Sequence, residues 1–223
     1  MRRIYRYLVT VALLLIASNL SVVRAQLLDE TDNQQWTEVQ LAVPLSKMVD
    51  FNLLGVLRIG RDIHRPVDER LGVAFTFRLG KYISVQPAYL NINMQPFKGR
   101  RVWENRLALP VTVRFPVGKF TISDRNMFER RIRRPGINSI RYRNKLQVDH
   151  PVGPKRLSLS AFIANEVFYD WSFDDWVRNR FQVGVSHVFN KHFTGDLYYM
   201  RQNDGRSIPG DLHIIGVALK FKL

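Results

Sequence analysis

Alternation with a period of two runs through most of this chain, and it limits the fold more than any other feature. From Arg70 to Gly80 one face reads Leu71, Val73, Phe75, Phe77 and Leu79. The other reads Arg70, Gly72, Ala74, Thr76, Arg78 and Gly80. Successive side chains of a β-strand point to opposite sides, so this is a strand with one apolar and one polar face. Asn105 to Phe115 repeats the pattern, with Leu107, Leu109, Val111, Val113 and Phe115 opposing Arg106, Ala108, Pro110, Thr112 and Arg114. Phe181 to Phe189 and Ile215 to Leu223 do so again. Helical periodicity is weak. After Ala25 no apolar run reaches the roughly 20 residues that a membrane helix needs.

Eleven such segments can be read, starting near Trp36, Asp50, Arg70, Lys81, Arg101, Gly118, Asn138, Lys155, Trp176, His192 and Asp211. Gly80-Lys81, Val117-Gly118 and Asn190-Lys191 make tight connections. Arg61 to Glu69, Arg130 to Asn138, Asp170 to Asp175 and Asn203 to Asp211 make longer ones. Short turns alternating with longer loops predict an all-β fold: a single antiparallel transmembrane β-barrel of about 10–12 strands. Single-chain bacterial barrels close with an even number. Eleven segments therefore imply that the Trp36 segment is not a full strand, or that one more strand exists.

The first 25 residues predict a cleavable signal peptide. Arg2, Arg3 and Arg6 precede an apolar stretch centred on Leu13-Leu14-Leu15-Ile16, and Val23-Arg24-Ala25 offers small or apolar residues for cleavage. Basic, apolar and cleavable segments in that order mark export. The predicted organisation is residues 1–25 as signal and 26–223 as one barrel domain. Removing the four leading arginines lowers the formal charge from +15 to +11. A surplus this large first suggests nucleic acid, but an exported chain rarely meets it. The absence of cysteine excludes disulfides and thiolate metal sites.

Energetics choose the orientation. A lipid-facing Arg costs about 2–4 kcal/mol near the bilayer midplane, so Glu104, Arg106 and Arg114 belong inside and the apolar faces outside. Trp36, Tyr82, Trp103, Tyr142, Trp171, Trp176 and Tyr199 are placed for interfacial girdles. The last strand, with Val217, Leu219, Phe221 and Leu223 on one face, suits recognition by barrel-assembly machinery. The expected surroundings are lipid and lipopolysaccharide of a Gram-negative outer membrane. The alternative is a soluble periplasmic barrel with its apolar faces turned inward and an anion-binding surface.

Six short runs occur in order: Asp32-Asn33-Gln34-Gln35-Trp36-Thr37-Glu38, Asp124-Arg125-Asn126-Met127-Phe128-Glu129-Arg130-Arg131, Arg141-Tyr142-Arg143-Asn144-Lys145-Leu146, Asn165-Glu166-Val167-Phe168, Asn179-Arg180-Phe181 and Tyr198-Tyr199-Met200-Arg201-Gln202. In these the chain resembles a bacterial outer-membrane barrel family filed as domain of unknown function 2490. The resemblance spans nearly all of residues 26–223. It implies a single outer-membrane barrel and supplies no catalytic residues.

Alternation projects Arg58, Arg70, Arg78, Arg106, Arg114, Arg125, Arg131, Arg141, Arg143, Lys145, Arg178 and Arg180 inward, against Glu38, Glu104, Glu129, Glu166 and Asp196. Buried charges need partners. Glu104 with Arg125, and Glu129 with Arg141 or Arg143, are the predicted pairs. The candidate network is Glu104, Arg106, Arg125, Glu129, Arg131, Arg141, Arg143, Glu166, Arg178 and Arg180. Two roles are open to it: a structural lattice that largely plugs the lumen, or a narrow anion-biased passage. Arg130, Arg131, Arg133 and Arg134 fall in or beside a longer loop, where they would meet lipopolysaccharide phosphate. A lipid-modifying enzyme is the further alternative. It needs a Ser beside a His base, and none of His64, His150, His187, His192 and His213 has such a neighbour by projection. No catalytic, metal or cofactor residue is therefore predicted.

Overall fold

The computed structural model describes residues 31–97 and 99–223. The predicted signal segment 1–25 lies outside these residues. The strands are β1 (Thr31–Pro44), β2 (Val49–Gly60), β3 (Arg65–Leu79), β4 (Ile83–Val85), β5 (Ala88–Phe97), β6 (Arg100–Val117), β7 (Phe120–Arg134), β8 (Ser139–Val152), β9 (Leu159–Asp170), β10 (Asp175–Asn190), β11 (Phe193–Asp204) and β12 (Asp211–Lys222). Apart from β4 and β5, each pairs with its neighbours along the chain, and β1 returns to pair with β12, so the sheet closes on itself.

The short β4 and the longer β5 occupy one position between β3 and β6. They are two halves of a single stave, interrupted at Gln86-Pro87. Proline has no amide hydrogen for a ladder, and Pro110 of β6 lies at the same break. The backbone bridges it with Gln86 N–H donating to Pro110 O (2.9 Å) and Phe75 N–H donating to Pro87 O (3.1 Å).

Counting that pair once, the described residues form a closed barrel of eleven staves. The even number expected from sequence is overturned. The Trp36 segment is a full strand, and among the described residues no further strand is inserted. The physical reason lies at the seam. Each hairpin reverses direction, so the first and eleventh staves run the same way. They pair in parallel, from Thr31 opposite Asp211 to Ala42 opposite Lys222.

Connections 61–64, 135–138, 171–174 and 205–210 lie at the first rim, where β1 begins. Connections 45–48, 80–82, 118–119, 153–158 and 191–192 lie at the second. The two rims differ less than the sequence suggests. Strand pairing extends into the predicted loops, and the second rim carries the 153–158 connection with its 3-10 turn Lys155–Leu157. The two-residue link from Val117 to Phe120 turns at Gly118 with φ of +63°, a conformation open to glycine.

The faces are sorted as the alternation requires. Leu71 is 73% exposed on the outer wall, whereas Glu104 is fully buried inside. Leu107, Ile163 and Ile215 also project outward. An inverted barrel with an apolar core is thereby excluded. Among the described residues, an apolar cluster inside comprises Trp36, Phe162, Tyr198, Met200, Leu212 and Ile214. Trp36, expected in an outer girdle, is a member of it. It shares the inward face of β1 with Asp32 and Gln34, which outweighs its position near a strand end.

Candidate interior charge lattice and chamber

The strand register assembles the predicted network across β6 to β10. Inward positions are even on β6, odd on β7 and β8, even on β9, and even on β10 from Arg178 onward, after a bulge between Trp176 and Arg178. Pairing sets Arg106 opposite Arg131, Glu129 opposite Arg141, and Glu166 opposite both Lys145 and Arg180. Like and unlike charges are thus brought together by backbone geometry, and the side chains then find their partners.

Glu104 accepts from Arg106 Nε (2.7 Å), from Arg131 through Nε and Nη2 (3.0 and 2.8 Å), and from Arg133 Nε (3.2 Å). Glu129 accepts both Nε and Nη2 of Arg141 (2.8 and 2.6 Å) and Nη1 of Arg143 (2.9 Å). Arg106 Nη1 reaches it at 3.4 Å. Glu166 accepts from Arg125 and Arg143, each at 2.7 Å, and lies 3.6 Å from Arg180. Asp170 adds a 3.8 Å pair with Arg131. Planar guanidinium forks suit this shared, two-pronged bonding. Among the described residues the connected lattice therefore joins four carboxylates to seven guanidiniums.

Most of the predicted members meet. The expected Glu104–Arg125 pair does not form, because Arg125 lies six residues down β7 from Arg131 and reaches Glu166 instead. Arg178 leaves the lattice for Asp204. The basic loop is also corrected. β7 continues to Arg134, and Arg133 turns inward onto Glu104, Ile137 O and Ser139 Oγ. Arg130 and Arg134 remain exposed. Arg114, projected inward, sits towards the second rim with 61% of its side chain exposed, 3.6 Å from Asp149.

Sequence projection missed several interior acids: Asp32, Asp50, Asp68, Asp149, Asp170 and Asp204 are all buried. Most lie near strand ends, and Asp68, Asp170 and Asp204 fall in predicted connections. Asp68 accepts Nε and Nη2 of Arg70 (2.6 and 2.5 Å) and lies 3.5 Å from Arg58. Two aromatic rings complete the interior. Arg58 covers Trp36 at 3.5 Å from the ring centroid, and Arg180 approaches the same ring at 4.9 Å. The buried Phe168 is surrounded by Arg143, Arg180, Arg141 and Arg178 at 4.5–5.4 Å. Ring faces attract the guanidinium surfaces that carboxylates do not reach.

The lattice faces a chamber of about 650 Å³, lined by Arg58, Arg125, Lys145, Arg180 and Tyr198 among others. The Nε atoms of Arg58 and Arg125 are buried with no hydrogen-bond partner among the described residues. Lys145 donates to Gln182 Oε1 (3.0 Å) and, among the described residues, forms no ion pair. Also among the described residues, no group of three metal-ligating side chains comes together. The histidines bond elsewhere than to serine: His64 and His192 to backbone carbonyls, and His213 to the Tyr199 hydroxyl at 2.6 Å.

Three solved structures are similar in outline. They are an anion-selective porin from Comamonas acidovorans (11% identity, TM-score 0.40, 73% of this chain and 47% of that one), the KdgM porin in complex with disordered oligogalacturonate (11%, 0.46, 78% and 92%), and LpxR from Salmonella typhimurium (7%, 0.47, 78% and 83%). The chain spans about half the length of the first of these. No curated protein matches the sequence. A family model does match, over residues 33–212, and the chain accordingly belongs to the family described as Protein of unknown function (DUF2490).

Proposed function

We propose that this protein is exported by its first 25 residues, sits in the outer membrane of a Gram-negative bacterium, and offers small anions a narrow, largely occluded path through an arginine-rich lumen. The single observation that carries the reading is the imbalance of the chamber's charged lining, twelve basic side chains to six carboxylates among the described residues. Surplus cations held by a rigid wall attract anions and repel cations.

The outer wall supports the membrane placement. Large apolar side chains are exposed on nearly every strand, an arrangement that a bilayer stabilises and water does not. Size supports a constricted path. About eight strands fill their own interior and 16 or more leave a wide channel; eleven staves with long Arg side chains fall between.

The test is planar-bilayer recording under a KCl gradient, beside membrane fractionation with heated and unheated gel lanes. The expected result is an outer-membrane band with a heat shift, low conductance, and a reversal potential of anion sign. A large or cation-preferring conductance overturns the lumen reading. A soluble protein without a heat shift overturns the placement.

A further inference from the structure

The outer wall of β7 to β10 carries a feature that the interior reading leaves unused. Phe128, Tyr142, Tyr169 and Trp176 fall on one laterally paired row across four adjacent strands. Trp171, in the connection after β9, closes over them. The ring centroids link into a circuit: Phe128–Tyr142 at 5.3 Å, Tyr142–Trp176 at 6.4 Å, Trp176–Tyr169 at 5.4 Å, Tyr169–Trp171 at 5.2 Å and Trp171–Phe128 at 6.2 Å. Three of the five junctions are near-perpendicular, at 70–81°, as the walls of a box would be. These five rings and Asn126 line one cavity. A regular circuit of this mean spacing has its centre about 5 Å from every ring, within the roughly 6 Å over which a cation is held by aromatic faces.

Charge around the box has the sign a cation requires. The Tyr169 hydroxyl donates to Asp174. The Tyr142 hydroxyl donates to Asn126 Oδ1, and Asn126 Nδ2 donates to Asp124 Oδ2 (3.0 Å). Asn144 Nδ2 adds a 2.6 Å bond to Asp124 Oδ1. Among the described residues, neither Asp124 nor Asp174 forms an ion pair. Two uncompensated carboxylates flank the box in a chain whose formal charge is +15. Donation from each tyrosine also makes its ring face more negative. One exposed cation, Arg130, stands two residues beyond Phe128 on the same face of β7.

We propose that this box binds the alkylammonium end of a zwitterionic phospholipid headgroup, with Arg130 receiving the phosphate. A sugar fits less well, because both tyrosine hydroxyls are already committed. A simple interfacial girdle would spread its rings around the wall rather than close five of them into one cavity.

The experiment uses the full chain folded in maltoside micelles, titrated by calorimetry and tryptophan fluorescence. The probes are tetramethylammonium chloride against matched NaCl, dihexanoylphosphatidylcholine below its micellar concentration, inorganic phosphate, and glucosamine. Saturable binding of the first two is expected, about tenfold weaker in Trp176→Leu and in Phe128→Ala, the loss of one or two cation–ring contacts. Asp174→Asn is expected to weaken both probes several-fold. Arg130→Gln is expected to weaken only the phospholipid. The heat-dependent gel shift checks that each variant is folded, and Phe128→Ala serves if Trp176→Leu is not. Non-saturable responses, binding unchanged in the folded box variants, or preference for phosphate or glucosamine overturns the proposal. The interior reading is untouched by any of these results.

Discussion

The guanidinium carbon of Arg58 lies 3.5 Å from the centroid of the Trp36 ring, the same distance at which Asp68 meets an Nη of that arginine. A buried aromatic face and a single carboxylate share one cation. Arg180, from β10, uses the same ring at 4.9 Å.

Trp36→Ala should therefore remove both a packed ring and the cover of two arginines. A loss of about 3–5 kcal/mol is expected, the usual range for a large buried aromatic. Urea unfolding of the reconstituted barrel measures it. Trp36→Phe, which keeps a ring face, should recover more than half.

Glu104 is fully buried and serves Arg106, Arg131 and Arg133. Glu104→Gln leaves three guanidiniums without their shared anion. Breaking a buried pair from one side costs about 3–5 kcal/mol. In the double variant with Arg131→Gln the two losses should be less than additive by about 1 kcal/mol or more. The same unfolding assay checks this.

Arg125 is a better handle on conduction. Its side chain is 35% exposed towards the chamber, and Glu166 keeps other partners without it. Arg125→Gln should shift stability by no more than about 1 kcal/mol. The reversal potential in a KCl gradient should move towards zero. Arg125→Glu should move it further.

Gly184 has no room for a side chain. A Cβ there would lie 2.6 Å from Leu197 O, Phe162 Cζ and Tyr198 Cβ. Gly184→Ala should cost about 1–3 kcal/mol by overpacking. Gly55→Ala, where the nearest atom is Val39 O at 4.0 Å, should be close to neutral in the same assay.

Period-two alternation makes the barrel wall and its direction legible, because a strand has only two faces and the cost of misplacing Arg is large. It also places Glu104, Glu129 and Glu166 inside. It does not reveal where pairing stops. Asp68 and Asp170 lie beyond the apolar stretches that define strands in the sequence, yet hydrogen bonding continues through them. Arg133 is lost for the same reason. Trp36 shows the opposite error: nearness to a strand end suggested a girdle, while the parity of β1 put it inside. Partner choice is the least legible. It depends on side-chain reach across three or more strands, as with Arg125 and Glu166.

The parallel seam has a consequence for how the barrel comes together. Every other junction joins staves that follow one another along the chain, so each can form as a local hairpin. β1 and β12 stand at opposite ends of the described chain and meet without a hairpin. Their pairing must wait for the whole sheet to curl, at the entropy of the longest closure, and parallel ladders are slightly weaker per residue. Until that seam forms, the sheet is open and β1 and β12 each present an unpaired edge.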